Sequence, residues 1–196
     1  MTILLASTLV ATAWSAEDHD EGLFLRLSTG AGYGLISVDE TEKLEMYGIT
    51  TEFNIAVGAI IKPNLALHGT LWGWSPIHTE ARFASNTLGG SHDLEFVAFG
   101  PGVTYYFEPS NVYLSFSIGM ATIDVKLETP DGEIIRDSAR GFALDFTVGK
   151  EWWKSDNWGV GVAGDFGYLN IDNSLPGANE IWTGGQLGLR LTATYN

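Results

Sequence analysis

Six charged residues stand at alternate positions among apolar neighbours: Arg26, Glu52, Asp145, Glu151, Asp165 and Arg190. The stretch "FALDFTVGKEWW" shows their setting. Phe142, Leu144, Phe146, Val148 and Trp152 recur at every second position, and Asp145 points the other way with Gly141, Ala143, Thr147, Gly149 and Glu151. Two cations against four carboxylates, a sum of −2, can form an ionic plug or a gate on a narrow water path if they share one enclosed face. They can equally form a satisfied polar core that only fills space, and that plainer reading is preferred. A second kind of chemistry needs a nucleophile, a base and an acid. The histidines are His19, His68, His78 and His92, and "SHD" at Ser91 to Asp93 sets the three residue types side by side. Adjacency in sequence does not make a triad, because the side chains of neighbours diverge.

These residues need elements to position them, and beyond residue 22 the chain is almost wholly of period two. Eight segments alternate: Leu23 to Gly34, Ile49 to Lys62, Leu65 to about Trp74, Leu94 to Phe107, Val112 to Ala121, the stretch quoted above, Trp158 to Leu169 and Gly184 to Tyr195. Their connections alternate too. "KPN" around Pro63, "EPSN" from Glu108 and "KSDN" from Lys154 have the chemistry of tight turns, whereas 35–48, 75–93, 122–139 and 170–183 read as long polar loops. An up-and-down barrel with short turns at one end and long loops at the other produces this rhythm, so the expected fold is all-β, an eight-stranded antiparallel barrel over residues 23–196.

Which face looks inward follows from the residue types. The non-apolar face is dominated by Gly, Ala, Ser and Thr, which suit the crowded inside of an eight-stranded barrel, and the Leu, Phe and Val face would overfill it. Only 17% of residues are charged, less than a water-facing surface carries. Aromatic residues collect at two levels, as amphipathic rings do at a membrane interface. Tyr105, Tyr106, Phe107, Tyr113, Trp152, Trp153, Trp158 and Tyr195 gather at the short-turn end; Tyr33, Trp72, Trp74, Tyr168 and Trp182 gather at the long-loop end. The apolar face is therefore expected to meet lipid.

On these features, and most of all on "FGPGVTYYFEPSNVYLSFSIG" from Phe99 to Gly119, the chain from Leu23 to Tyr195 resembles the small eight-stranded outer-membrane β-barrel proteins of Gram-negative bacteria, of the OmpA, OmpX and OmpW type. The resemblance implies a bacterial outer-membrane location, outer-membrane lipid and lipopolysaccharide as neighbours, and insertion by the outer-membrane assembly machinery. Such barrels usually end on an aromatic residue, whereas here Asn196 follows Tyr195. It also implies a structural or surface-interaction role, with a narrow pore or passive route for small or hydrophobic solutes as the alternative. A lipid A-modifying enzyme of the acylase or deacylase kind is a third reading, and no His-x-Ser pattern supports it.

Other partners are constrained by composition. A net charge of −14 argues against nucleic acid, and the absence of cysteine removes disulfides and thiolate metal sites. No cofactor and no metal site is expected; "EDHDEG" and "DETEKLE" read as solvated acidic segments without calcium-loop spacing. Residues 1–16 read as a signal peptide with cleavage near 13–16, and 17–22 as an acidic tail. The barrel is expected to be monomeric. Within it, the turn "KSDN" puts Asp145 opposite Asp165 or Gly167. Like charges on one face need a cation between them, and a guanidinium fork can bridge two carboxylates. Arg190 is expected there, reinforced by Arg26 across the closure.

Overall fold

The computed structural model describes residues 22–39, 44–77, 80–83, 86–88, 92–128, 134–173 and 180–196. The expected leader at 1–16, most of the acidic tail, and residues 40–43 of the first acidic loop lie outside these residues, as do His19, His78 and Ser91.

Ten strands follow one another: β1 (Gly22–Asp39), β2 (Leu44–Lys62), β3 (Leu65–Pro76), β4 (Glu80–Phe83), β5 (Asn86–Leu88), β6 (His92–Phe107), β7 (Val112–Glu128), β8 (Ile134–Ser155), β9 (Trp158–Asn173) and β10 (Glu180–Tyr195). Eight of them form a closed antiparallel ring in the order β1, β2, β3, β6, β7, β8, β9, β10, and β1 pairs with both β2 and β10 to complete it. Closure leaves every strand of the ring paired on both sides, which is what lets a sheet stand in lipid. The remaining two, β4 and β5, form a small hairpin that continues past the end of β3, with Leu44 of β2 opposite Phe83 of β4.

The three tight turns have ordinary causes. Asn64 (φ 69°) and Asn111 (φ 49°) take the left-handed conformation, which asparagine tolerates better than most side chains. The third turn follows a bulge between Trp153 and Ser155. The opposite ends of the strands run much further than the alternation at mid-barrel suggests. β1 continues to Asp39, β7 to Glu128, and β8 begins at Ile134, so most of the segments read as long polar loops are strand.

The reason is a reversal of faces. Within the lower part of the ring the outward face is apolar, and Phe99, Met120, Leu187, Leu189 and Leu191 are all more than 60% exposed. The inward face there carries Arg26, Glu52, Asn54, His68, Asp145, Asp165 and Arg190, all buried. Higher up, the inward positions become apolar while the strands run on in the same register. Ile36, Val38, Met46, Leu94, Phe96, Ile123, Val125, Leu169, Ile171 and Trp182 pack together with Trp72 and Trp74 in one buried cluster. Outward neighbours at that height, Glu95, Asp124, Arg140 and Asp172, are exposed. A second, smaller apolar cluster of Phe24, Ala56, Ile60, Ala66, Tyr106, Tyr113 and Ala163 closes the short-turn end. The lumen is thus a polar belt between two apolar layers, rather than polar throughout.

This arrangement corrects the reading of several aromatics. Tyr113 is 0% exposed and faces the lumen, where it packs against Tyr106 with ring centroids 5.5 Å apart. It shares the parity of Ser115 and Ser117, and its ring closes the barrel floor where lipid headgroups were expected. Trp72, Trp74 and Trp182 are likewise buried inside, leaving Tyr33, Tyr47 and Tyr168 to face outward at the long-loop end. At the short-turn end Tyr105, Phe107, Trp152 and Trp158 do face outward, exposed by 40 to 45%, and Trp158 meets Tyr195 edge-on at 5.4 Å. Trp153 is half-buried and lies two residues beyond the inward Glu151, on the lumenal side of the mouth.

Candidate functional site: the charged belt of the barrel interior

The belt is organised around Arg190 on β10. Its Nη1 donates to both oxygens of Asp145, at 2.8 and 3.0 Å, and its Nη2 donates to Asp165 Oδ2 at 3.0 Å. Its Nε lies 3.3 Å from Glu52 Oε2. One guanidinium therefore faces three carboxylates from three other strands, β2, β8 and β9. A buried carboxylate without a counter-charge is costly, and a planar fork with five donors is the side chain able to serve several at once.

The ladder explains how they meet. Gly30 lies between Arg190 and Glu52, paired with one on each side. A Cβ on Gly30 would lie 2.9 Å from the Cα of Arg190 and 2.9 Å from Glu52 Oε1, so only glycine lets the arginine reach across β1 to the glutamate. Gly188 similarly leaves room for Glu52, Gln186 and Asp165, all of which crowd its open side. Asp145 pairs with Gly167, so it is diagonal to Asp165 and the two carboxylates share the arginine without standing directly opposite. Further donors complete the shell. Gln186 donates to Glu52 Oε2, Asn54 to Asp145 Oδ1 at 3.4 Å, and Thr147 to Asp145 Oδ2 at 3.3 Å.

Arg26 is not part of this cluster. It lies in a second network on the β3, β6 and β7 side, where its Nη2 donates to Ser115 at 2.8 Å and Thr104 at 3.3 Å. Its guanidinium carbon stands 4.5 Å over the Tyr113 ring and 5.5 Å from that of Phe24. The expectation that it reinforces the Asp145–Asp165 bridge fails because its hydrogen bonds go to hydroxyls and its faces to rings, and the first carboxylate to feel its charge is Glu151. His68 belongs to the same network, bonded to Thr70 at 2.7 Å and Thr104 at 2.9 Å, and stacked on Phe24 at 5.4 Å. Glu151 sits lower, accepting from Thr194 at 2.6 Å.

The participants that sequence reasoning left out are Gln186, Asn54 and the hydroxyls of Thr70, Thr104, Ser115 and Ser117. All have inward parity, but the register between distant strands is needed to see which of them meet. Chemically, the belt can hold charge and orient donors. It presents no nucleophile beside a base with open access, since the two ring nitrogens of buried His68 are both engaged. Among the described residues no group of three or more His, Cys, Asp or Glu is placed to hold a metal ion.

The sequence matches the model of the outer membrane protein beta-barrel domain over residues 2–194, and the chain belongs to that family. It is an eight-stranded transmembrane β-barrel of the bacterial outer membrane. Among solved structures it is similar to Neisserial surface protein A, at 15% identity and a TM-score of 0.53, with 87% of this chain and 99% of that chain covered. It is also similar to the attachment invasion locus protein Ail of Yersinia pestis, in complex with the heparin analogue sucrose octasulfate (14% identity, TM-score 0.49, 86% and 98% covered). A third is the outer membrane protease OmpT of Escherichia coli (10% identity, TM-score 0.49, 92% and 98% covered). At these identities the likeness concerns the fold. No curated protein matches the sequence significantly.

Proposed function

We propose that this protein is a closed, non-catalytic barrel that anchors the outer ends of its strands at the cell surface, where they take part in surface interactions. The observation that supports this reading is the double seal of the lumen. Above the Arg190 cluster, Trp72, Trp74, Phe96, Ile123, Ile171 and Trp182 fill the cross-section, and below it Phe24, Tyr106 and Tyr113 do the same. A cavity between Trp72, Trp74, Phe96, Gln186 and Arg190 measures about 10 Å³, on the scale of one water. Eight strands also enclose too little space for an aqueous channel, which takes about sixteen.

Single-channel recording of the purified full-length chain in planar bilayers tests the reading. The expected trace shows no discrete steps across the voltages that open porins. Reproducible unitary conductance that disappears in Arg190→Met would establish the pore reading in its place.

A further inference from the structure

We propose that the lipid-facing side of β8, β9 and β10 carries a seat for one phospholipid, with an acyl chain over Gly164 and the headgroup phosphate on Lys150. Four described glycines face outward from the ring: Gly69, Gly73, Gly164 and Gly185. Three are covered by an aromatic ring of a neighbouring strand, since a Cβ would meet Phe99 at Gly69, Phe53 at Gly73 and Phe166 at Gly185. Gly164 has no such cover. A Cβ there would come no closer than 3.9 Å to the Gly188 carbonyl and 4.0 Å to Leu189.

The gap opens into a groove of about 710 Å³ whose walls include Val148, Val162, Leu189 and Leu191. These side chains face lipid, and Val148 and Leu189 flank Gly164 directly in the ladder. The groove is continuous with Lys150, which pairs with Val162 one step nearer the short turns. Between the outward aromatics at the two ends of the ring, Lys150 is the single charged residue among the described residues on the lipid-facing side. A lysine at that height reaches the headgroup level, where its charge favours an anionic group.

The ammonium is also held in place. It donates to the Ser110 carbonyl in the turn below and lies 5.6 Å from the Trp152 ring, which leaves two of its three donors for an acceptor. An apolar trough ending at a tethered cation, at the level of the short-turn interface, matches a phospholipid: a hydrocarbon chain ending at a phosphate. A second copy of the chain could fill the trough but would bury Lys150 against an apolar face with no anion.

Native mass spectrometry of the full-length barrel, extracted in mild detergent and titrated with dioleoyl phosphatidylglycerol, tests the assignment. The expected result is one phospholipid retained at activation energies that strip the others. Gly164→Leu, for which the groove has room, should lose it. Lys150→Gln should weaken it by about fivefold, as removal of one basic contact to a headgroup does. Val57→Leu, elsewhere on the lipid-facing surface, should behave as wild type, and the gel shift of unheated samples shows that each variant is folded. Equal retention in wild type, Gly164→Leu and Lys150→Gln would overturn the proposal. So would a wild-type dimer that Gly164→Leu converts to monomer, because the occupant would then be a second copy.

Discussion

The band of the barrel that faces lipid and the storey above it are built from the same continuous strands with opposite rules. In the band, β7 turns Leu114, Phe116, Ile118 and Met120 outward and Ser115 and Ser117 inward. A few residues on, Ile123 and Val125 are buried inside while Asp124 is exposed outside. Nothing breaks at the boundary: β7 and β8 stay in register from Val112↔Lys150 to Glu128↔Ile134. What changes is the solvent. Hydrocarbon accepts apolar side chains on the outside and lets the polar belt be enclosed, whereas water drives apolar side chains inward. The two regions therefore owe their stability to different forces, electrostatic and hydrogen-bonded in the belt, hydrophobic in the storey.

Substitution at the centre of the belt should separate these forces most strongly. Arg190→Met leaves three buried carboxylates without their cation, and a loss of at least about 3–5 kcal/mol is expected from breaking a buried ion pair. Urea unfolding in lipid vesicles, read by loss of the unheated gel shift, measures it. Arg26→Met serves as the internal contrast, because Arg26 hydrogen-bonds hydroxyls and bridges no carboxylates, with Glu151 its first carboxylate neighbour by charge, and a cost of about 1–3 kcal/mol is expected. Equal losses for the two arginines would mean that the carboxylates are neutralised by some other means.

The storey should respond to cavities instead. Phe96→Ala is expected to cost about 3–5 kcal/mol by the same assay, as large-to-small changes in a packed core do. Phe99→Ala on the same strand, 64% exposed to lipid, should cost much less. A scan of lysine substitutions along the outward side of β7 then locates the boundary. Ile118→Lys should cost about 2–4 kcal/mol near the bilayer midplane, and Asp124→Lys should fall within about 0.5 kcal/mol of wild type. A cost that stays high through Asp124 would place the storey inside the membrane and break the comparison. The smallest effect is expected for Tyr47→Phe, which removes a bond of 3.0 Å to Glu80 on the exposed hairpin strand and should leave the unfolding midpoint unchanged.

The sequence made the lipid band legible because one face is uniformly apolar and the other small or charged, so alternation alone counts the strands. The storey escaped for a related reason. Ile36 and Val38 have the parity of Ser28 and Gly30, so the apolar phase reverses within a single strand and the segment no longer looks like a continuation. Tyr113 was misassigned by its type, although its parity with Ser115 pointed inward. Arg190 beside Asp145 and Asp165 could be foreseen because the short turn between β8 and β9 fixes the register of the two acids, and carboxylates so close on one face call for a cation between them. Glu52 reads as one of the interior charges, but its contact with Arg190 depends on ring closure through β1 and on the missing side chain at Gly30, which parity alone does not show.

The position of Arg190 on the last strand has a consequence for the order of events when the barrel is made. The acids on β2, β8 and β9 all precede it in the chain. Asp145 and Asp165 can meet Arg190 as soon as β10 pairs with β9, but Glu52 meets it only when β10 docks against β1. The closing seam is therefore also the point at which the last acid joins the bridge, so a sheet that has not finished closing leaves Glu52 without the cation that the finished ring gives it.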